Sequence, residues 1–366
     1  MTTEQNAAIA GHRIVVLGAG YAGLAAARRL ARRASDAHIT VVDARAEFVE
    51  RVRLHQRAAG QDIPRWNLRE ELRAKGIDFV HARALGLDPA RRLVRLDGAP
   101  SLEYDTLVYA LGSARDTAGV PGAAEYARFV ATPEDVRPPR GSVAVVGGGA
   151  TGIELAAELA ESHPNSRVTL LSSEEPAGWM SAKAAAHVRR TLERLGVEIR
   201  SGAKVVEVLP AGVRLADGTE VAADTTMWTT GFAVPPLAAD AGLAVDGNGR
   251  IRTDAGLRSV SHPDIYAVGD AAVIAGPGGR ELRMACATAQ PAGLYAGAAI
   301  ATRLRGGEPG DFRYRYVAQC LSLGRRDGVI QLLRADDSPA RTVLTGRLGA
   351  WVKELIVRGA GWVAHP

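Results

Sequence analysis

Two short glycine runs, and the residues that close the segments behind them, hold most of the chemistry this sequence can offer. The first is Gly18-Ala19-Gly20-Tyr21-Ala22-Gly23, followed at the end of the next apolar run by Asp43. In this spacing the first glycine permits a tight turn and the second lets backbone approach a pyrophosphate. The third lets a helix pack closely on a strand. A carboxylate at Asp43 can accept hydrogen bonds from both hydroxyls of a ribose, and Ala44 and Arg45 follow it as further candidate contacts. The second run is Gly147-Gly148-Gly149-Ala150-Thr151-Gly152. Its distance to Ser172 equals the distance from Gly18 to Asp43. Here the segment closes on Ser172-Ser173 instead of an acid, so the 2′-hydroxyl of NADH loses its usual partner. No Arg stands beside Ser172 to neutralise a 2′-phosphate. The choice between NADH and NADPH stays open, as does whether this second site is occupied.

Each run needs a strand before it and a helix after it, and the sequence supplies both. Ile14 to Leu17 is continuously apolar, as in a strand buried on both faces of a parallel sheet. Leu24 to Arg33 is built from good helix formers, and His38 to Val42 is a second apolar strand. Ser142 to Val146, Ile153 to Ser162 and Arg167 to Leu171 repeat the pattern. The expected fold is α/β, with two Rossmann-like dinucleotide-binding domains plus a small C-terminal α+β domain. Residues 1–120 and 236–305 would form the first, 121–235 the second and 306–366 the third. Hairpin-like strands are expected over Asp78 to Leu96, closing at Asp97-Gly98, and over Ala203 to Leu215, closing at Asp217-Gly218. Pro138-Pro139 and Pro235-Pro236 read as linkers. From Phe312 the tail reads as strands followed by a short helix near Leu348 to Val357.

Composition narrows the classes. With 366 residues, 47% hydrophobic and 23% charged, the chain can bury a sizeable core and is not expected to be disordered. Two cysteines far apart, Cys286 and Cys320, argue against a disulfide framework and for a reducing, cytoplasmic setting. No metal-ligand spacing occurs. The net charge is +5, but Arg is interspersed with Asp and Glu, and Lys occurs only at Lys75, Lys183, Lys204 and Lys353. That pattern reads as solvated surface, with no nucleic-acid partner. Met1 to Gly11 is polar and unlike a signal peptide. No run reaches the roughly 18 apolar residues of a membrane-crossing helix, so membrane contact is expected to be at most peripheral, at the inner face.

Three later motifs carry a resemblance. Tyr104-Asp105-Thr106-Leu107-Val108-Tyr109-Ala110-Leu111-Gly112 resembles the segment by which a chain leaves the first half of an FAD domain. Met227-Trp228-Thr229-Thr230-Gly231-Phe232 resembles its counterpart leaving an NAD(P) domain. Ile265-Tyr266-Ala267-Val268-Gly269-Asp270 resembles the late FAD motif whose Asp binds the ribityl–phosphate part. Together with the glycine runs, over roughly residues 12–305, they make the chain similar to FAD-dependent pyridine nucleotide oxidoreductases with two dinucleotide-binding domains. Within that group it looks most like type II NADH dehydrogenases and apoptosis-inducing-factor-like quinone reductases. The resemblance implies FAD held by Gly18, Gly20, Tyr21, Ala22, Gly23, Asp43, Ala44, Arg45, Ala84, Ala110, Gly112, Gly269, Asp270 and Gln290. It implies NADH or NADPH held by Gly147, Gly149, Thr151, Gly152, Glu154, Ser172 and Gly231. Electrons would pass from nicotinamide through flavin to a small quinone-like acceptor.

The resemblance also names catalytic candidates. Glu154, in Gly152-Ile153-Glu154, would lie between nicotinamide and flavin. Gln290, in Ala289-Gln290, would face flavin or acceptor, although Pro291 interrupts that segment and Leu294 replaces its second Gln. His55, in Leu54-His55-Gln56, would hydrogen-bond the flavin or protonate an acceptor, given a pKa near neutrality; its plain alternative is a polar residue at a helix start. Disulfide reductases carry a redox-active Cys pair in the stretch matching Glu47 to Gly60, which has no cysteine, so dithiol chemistry is not expected. The tail is shorter than the membrane-anchoring ends typical of type II dehydrogenases. Lys353 reads as an exposed lysine of an amphipathic helix unless the tail folds back to the flavin. Cys286 reads as an inert thiol near it, and Tyr314, Tyr316 and Trp351 as packing groups of the tail or of a homodimer. Two other readings stay open. One is a flavin-dependent oxidase or tailoring enzyme with a vestigial second site, which Ser172 favours; the other is a redox-responsive interaction protein that binds FAD and NADH.

Overall fold

The computed structural model describes residues 11–116, 119–134 and 136–364. Of the segment Met1 to Gly11, read above as unlike a signal peptide, residues 1–10 lie outside the described residues. Strand β1 (Arg13–Leu17) leads through the first glycine run into α1 (Tyr21–Arg33), and β2 (His38–Asp43) returns beside it. A short helix α2 (Leu54–Ala58) precedes β3 (Asp78–His81) and β4 (Thr106–Tyr109). The second unit comprises β5 (Ala127–Phe129), β6 (Val143–Val146), α3 (Ala150–Ser162), β7 (Val168–Ser172), α4 (Ala182–Arg194), β8 (Glu198–Ser201) and β9 (Thr225–Trp228). The chain returns with β10 (Ile265–Ala267) and α5 (Cys286–Leu304). It closes with β11 (Ala318–Ser322), β12 (Gly328–Leu333), β13 (Pro339–Thr345) and α6 (Gly346–Ala364).

The duplication seen in the glycine runs extends to whole sheets. One five-stranded sheet has the order β10-β4-β1-β2-β3 and the other β5-β9-β6-β7-β8, and every pairing in them is parallel. Val15 lies opposite Thr40 and Leu107, as Val145 lies opposite Leu170 and Met227. Only the edge strand differs in origin: β10 joins the first sheet from beyond the second unit, whereas β5 is the second unit's own first strand. The fold is α/β with two Rossmann-like units. Apolar runs form the central strands because both faces are covered. Ile14, Val16, Leu17, Val143 and Val145 are buried, and each such side chain contributes roughly 1.5–3 kcal/mol by leaving water.

Two expectations need correction. Asp78–His81 is not part of a hairpin but the fifth parallel strand of the first sheet, paired with His38–Asp43. The antiparallel strands there begin only at Ala84–Asp88, paired with Leu93–Leu96. The tail helix is longer than the sequence suggested, running from Gly346 to Ala364.

Helix α5 lies directly on α1 because its glycines allow it. A Cβ at Gly293 would come 2.1 Å from Ala22 O, and one at Gly297 would come 2.6 Å from Ala26 O. Pro291 sits inside this helix without breaking it. Proline cannot donate to the carbonyl four residues earlier, and the Tyr314 hydroxyl donates to that carbonyl, Ala287 O, at 3.0 Å. Helix α6 folds back over both. Arg28 Nη1 donates to Trp362 O at 3.0 Å, and Arg53 grips Glu354 through two bonds of 2.8 and 3.0 Å. On its outer side Leu348, Trp351, Leu355 and Trp362 are exposed at helical spacing. Among the described residues no helix is long and apolar enough to cross a membrane.

Candidate functional site

The two glycine runs behave alike, position for position. Gly18 and Gly147 have φ of +101° and +119°. A Cβ at Gly18 would lie 2.4 Å from Ala110 O, and one at Gly147 would lie 2.5 Å from Thr230 Cγ2. At Gly23 and Gly152 a Cβ would strike the carbonyl of the first glycine, at 1.9 and 1.8 Å. At Gly20 and Gly149, in contrast, it would meet nothing within 4 Å. These middle glycines face open space at the N-termini of α1 and α3, neither of which has a side-chain cap. Uncapped N–H groups and the positive end of the helix dipole suit phosphate oxygens, and a side chain would fill the cradle. The residues present therefore fit a dinucleotide in both places.

A cavity of about 500 Å³ runs between the cradles. Gly20, Tyr21, Ala22, Asp43, Arg45, Ala110, Gly112, Gly269 and Asp270 line it from the first unit, and Gly149, Thr151, Glu154 and Gly231 from the second. Asp43 is oriented by two backbone donors, Ala19 N to Oδ2 at 2.7 Å and Arg45 N to Oδ1 at 2.8 Å. Each oxygen keeps a lone pair for a ribose. Ser172 occupies the matching strand end but is buried, and a Cβ at Gly148 would come 2.1 Å from its Oγ. Ser172 packs against the loop and does not line the cavity. Gly18, Gly23, Gly147 and Gly152 shape the turns without lining it, and Ala44 and Ala84 also lie off it.

Gln290 is placed away from the cavity as well. Its amide donates to Ala360 O of α6 at 2.6 Å, so it ties the tail helix to α5 instead of facing the open space. Sequence reasoning missed Arg51, which lines the cavity and donates to Ser113 O at 3.0 Å while Ser113 Oγ donates to Asp270 at 2.6 Å. Burial pulls its pKa down, with Asp270 opposing. No motif marks Arg51, which lies in the cysteine-free stretch that also holds His55.

A buried polar cluster joins residues of α2, α3, β11 and α6. Lys353 of α6 is not an exposed lysine: its Nζ lies 3.0 Å from Glu154 Oε1, and both side chains are nearly buried. Ser322 donates to the same carboxylate through its backbone N at 2.9 Å and its hydroxyl at 3.1 Å. His55 Nε2 is 3.2 Å from Ser322 Oγ, and His55 Nδ1 is 3.9 Å from Glu154 Oε2. Burial opposes charge on Glu154, but Lys353, His55 and Ser322 outweigh it and hold the carboxyl below its ordinary value. Burial likewise opposes charge on Lys353, and Glu154 reverses it, holding the ammonium above its usual range. The pair stays ionised.

His55 departs from expectation. It is buried, not poised near neutrality, and desolvation lowers its pKa to about 4 against the opposing pull of Glu154. It is a neutral imidazole at physiological pH. Cys286 and Cys320 line the cavity as free thiols, and burial pushes Cys286 up to about 11. Tyr316 is buried in the tail and accepts from Arg283 N at 3.0 Å. Trp351, read as a packing group of the tail or of a homodimer, is 60% exposed, so it does not pack within the tail.

Comparison with known proteins bears on the family and the fold. The profile of the family described as pyridine nucleotide-disulphide oxidoreductase matches residues 12–293. The chain is 32% identical over 317 residues to an NADH dehydrogenase-like protein of Mycobacterium tuberculosis, covering 78% of this chain and 79% of that one. It is 27% identical over 388 residues to a type II NADH:quinone oxidoreductase of Staphylococcus haemolyticus, covering 94% of each. Among solved structures, the sulfide:quinone oxidoreductase of Aquifex aeolicus has a TM-score of 0.82 at 20% identity, over 97% of this chain and 92% of that one. That last likeness is one of fold.

Proposed function

Because the chain belongs to the pyridine nucleotide-disulphide oxidoreductase family, we propose that it is an FAD-dependent enzyme passing electrons from NAD(P)H to a quinone-like acceptor, without a redox-active disulfide. The observation that carries this reading is the single cavity joining two open glycine cradles, with the Lys353–Glu154 pair and His55 in its wall. FAD held at the Gly20 cradle would supply two-electron redox chemistry between a dihydronicotinamide at the Gly149 cradle and the acceptor.

The chain's own residues bind, orient and set charge. On this reading the Gly20 cradle holds the FAD diphosphate, Asp43 its adenosine ribose, and Asp270 the ribityl side. The Gly149 cradle holds the nicotinamide dinucleotide, with Ser172 contributing packing in place of a carboxylate. Glu154 and Lys353 place a fixed charge pair in a nearly buried wall, where electrostatic effects are stronger than in water. Lys353 Nζ would supply positive charge to the cavity wall that it shares with Glu154. His55, held neutral by burial, offers a hydrogen bond and not a proton.

The exposed stripe of α6, with Trp351 and Trp362 and with Arg347 and Arg358 beside them, supports peripheral contact with a membrane surface. Residues 1–120 and 236–305, 121–235 and 306–366 are the FAD, NAD(P) and tail domains on this reading.

The test is steady-state oxidation of NADH and of NADPH by flavin-loaded protein, with menadione as acceptor and, separately, with a low-molecular-weight disulfide. Turnover with the quinone alone supports the reading. Turnover with the disulfide alone removes it.

A further inference from the structure

We propose that a second cavity, sharing His55 and Lys353 with the first, binds the electron acceptor through an anionic substituent. Quinones bearing a carboxylate or sulfonate would then be preferred over neutral ones. The inference rests on the quinone-reductase reading above and extends it to the class of acceptor.

The second cavity holds about 270 Å³. Small-molecule sites span roughly 300–1,000 Å³, so this one is sized for a single ring system and its substituent. Its inner end is formed by His55, Ser322 and Lys353, the groups that also hold Glu154. A ring seated there shares His55 and Lys353 with whatever fills the first cavity. Val52, Trp351 and Val357 give it apolar walls.

The charge at the outer end argues for an anion. Arg325, Arg326 and Arg347 line it and are exposed, and the one carboxylate in its lining is Glu354. Glu354 is already occupied: Arg53 binds it at 2.8 and 3.0 Å, Arg358 at 2.9 Å and Arg325 at 3.3 Å. Among the described residues no carboxylate forms an ion pair with Arg326 or Arg347. Arg347 stands in the first turn of α6, where the positive end of the helix dipole adds to it. Two guanidiniums without a partner, beside a carboxylate already neutralised, make a local field that attracts anions and repels cations. Guanidinium is planar and matches a carboxylate or sulfonate through paired hydrogen bonds. A neutral quinone would fill the ring space and leave this feature unused.

The overall step balances without further reagents. NADH, a proton and the quinone give NAD⁺ and the hydroquinone; the acceptor gains two electrons and two protons, and its acidic substituent is unchanged.

The experiment compares menadione with 1,4-naphthoquinone-2-sulfonate on wild-type protein and on Arg326→Gln/Arg347→Gln. Calorimetric binding of the redox-inert naphthalene-2-sulfonate is measured alongside. The expected KM for the sulfonate is about tenfold below that for menadione, a factor equal to about 1.4 kcal/mol. The double substitution and raised salt should both collapse that ratio toward unity, and the double substitution should weaken naphthalene-2-sulfonate binding by a similar factor. Equal KM values in the wild type, or a preference that survives the double substitution, overturn the proposal. If neither quinone turns over while NADH still bleaches the bound flavin, the acceptor reading has failed. The calorimetry then judges the anion site alone: binding lost in the double variant upholds the site, and no binding by wild type overturns it.

Discussion

Replacing Lys353 with Met keeps most of the side chain's volume and deletes only its charge. Glu154 would then stand nearly buried with Ser322 as donor and a neutral His55 beside it. Removing one partner of a buried pair costs about 3–5 kcal/mol, because the remaining charge is uncompensated. Against a whole stability of about 5–15 kcal/mol that is a large fraction. The pH dependence carries the sharper signature. In the wild type the Glu154 carboxyl lies below its ordinary value, because Lys353, His55 and Ser322 outweigh burial. Its contribution is therefore present above the unfolded carboxyl's pKa and is lost as pH falls through the folded one. Without Lys353 burial prevails and the folded pKa rises above the unfolded value of about 4.3. The sign then reverses, and destabilisation grows as pH rises. Urea unfolding of wild type, Lys353→Met, Glu154→Gln and the double variant, at about pH 5 and about pH 8, separates these cases. The cycle should return a coupling of roughly 1–3 kcal/mol. A Lys353→Met variant within about 1 kcal/mol of wild type, with an unchanged pH slope, would refute the reasoning.

Other outcomes follow from the same geometry. Gly20→Val puts a branched side chain into the phosphate cradle, and flavin recovered per mole of purified protein should fall at least about tenfold, as read from absorbance after acid release. His55, lowered to about 4 by burial, gives stability that is present above its unfolded pKa of about 6.5 and lost as pH falls toward the folded value. Thermal melts across that window should show the slope, and His55→Gln should flatten it. Cys286, raised to about 11 by burial, should react slowly with iodoacetamide near neutrality. Its rate should climb about tenfold per pH unit below that value, followed by peptide mass spectrometry.

What could be read before the structure was the part governed by local sequence. The first glycine run needs its turn, its open middle position and its helix within one short segment, so Gly18, Gly20 and Gly23 reveal their roles by spacing. The second run does the same, and the apolar strands around both follow from burial on two faces. The cluster at Glu154 was only half legible. Its partner Ser322 is 168 positions away, and Lys353 arrives on a helix whose alternation of apolar and charged residues looks like any surface helix. Nothing local says that α6 folds back. His55 and Gln290 mislead for the same reason: a type and a neighbourhood suggest chemistry, whereas desolvation and a neighbouring carbonyl decide it. Arg51, Arg326 and Arg347 belong to no motif, and an arginine-rich composition hides them. Pro291 read as an interruption because the hydroxyl that compensates it comes from Tyr314, beyond the helix.

The central claim is that one cavity holds a flavin and a nicotinamide dinucleotide and passes two electrons onward. It is tested most directly by anaerobic titration of the purified yellow protein with NADH and, in parallel, NADPH, followed by a soluble quinone. The account predicts that one of the two nucleotides bleaches the flavin stoichiometrically and that the quinone restores the colour at once. A protein that stays colourless after expression with ample riboflavin, or a flavin that neither nucleotide bleaches, would contradict it.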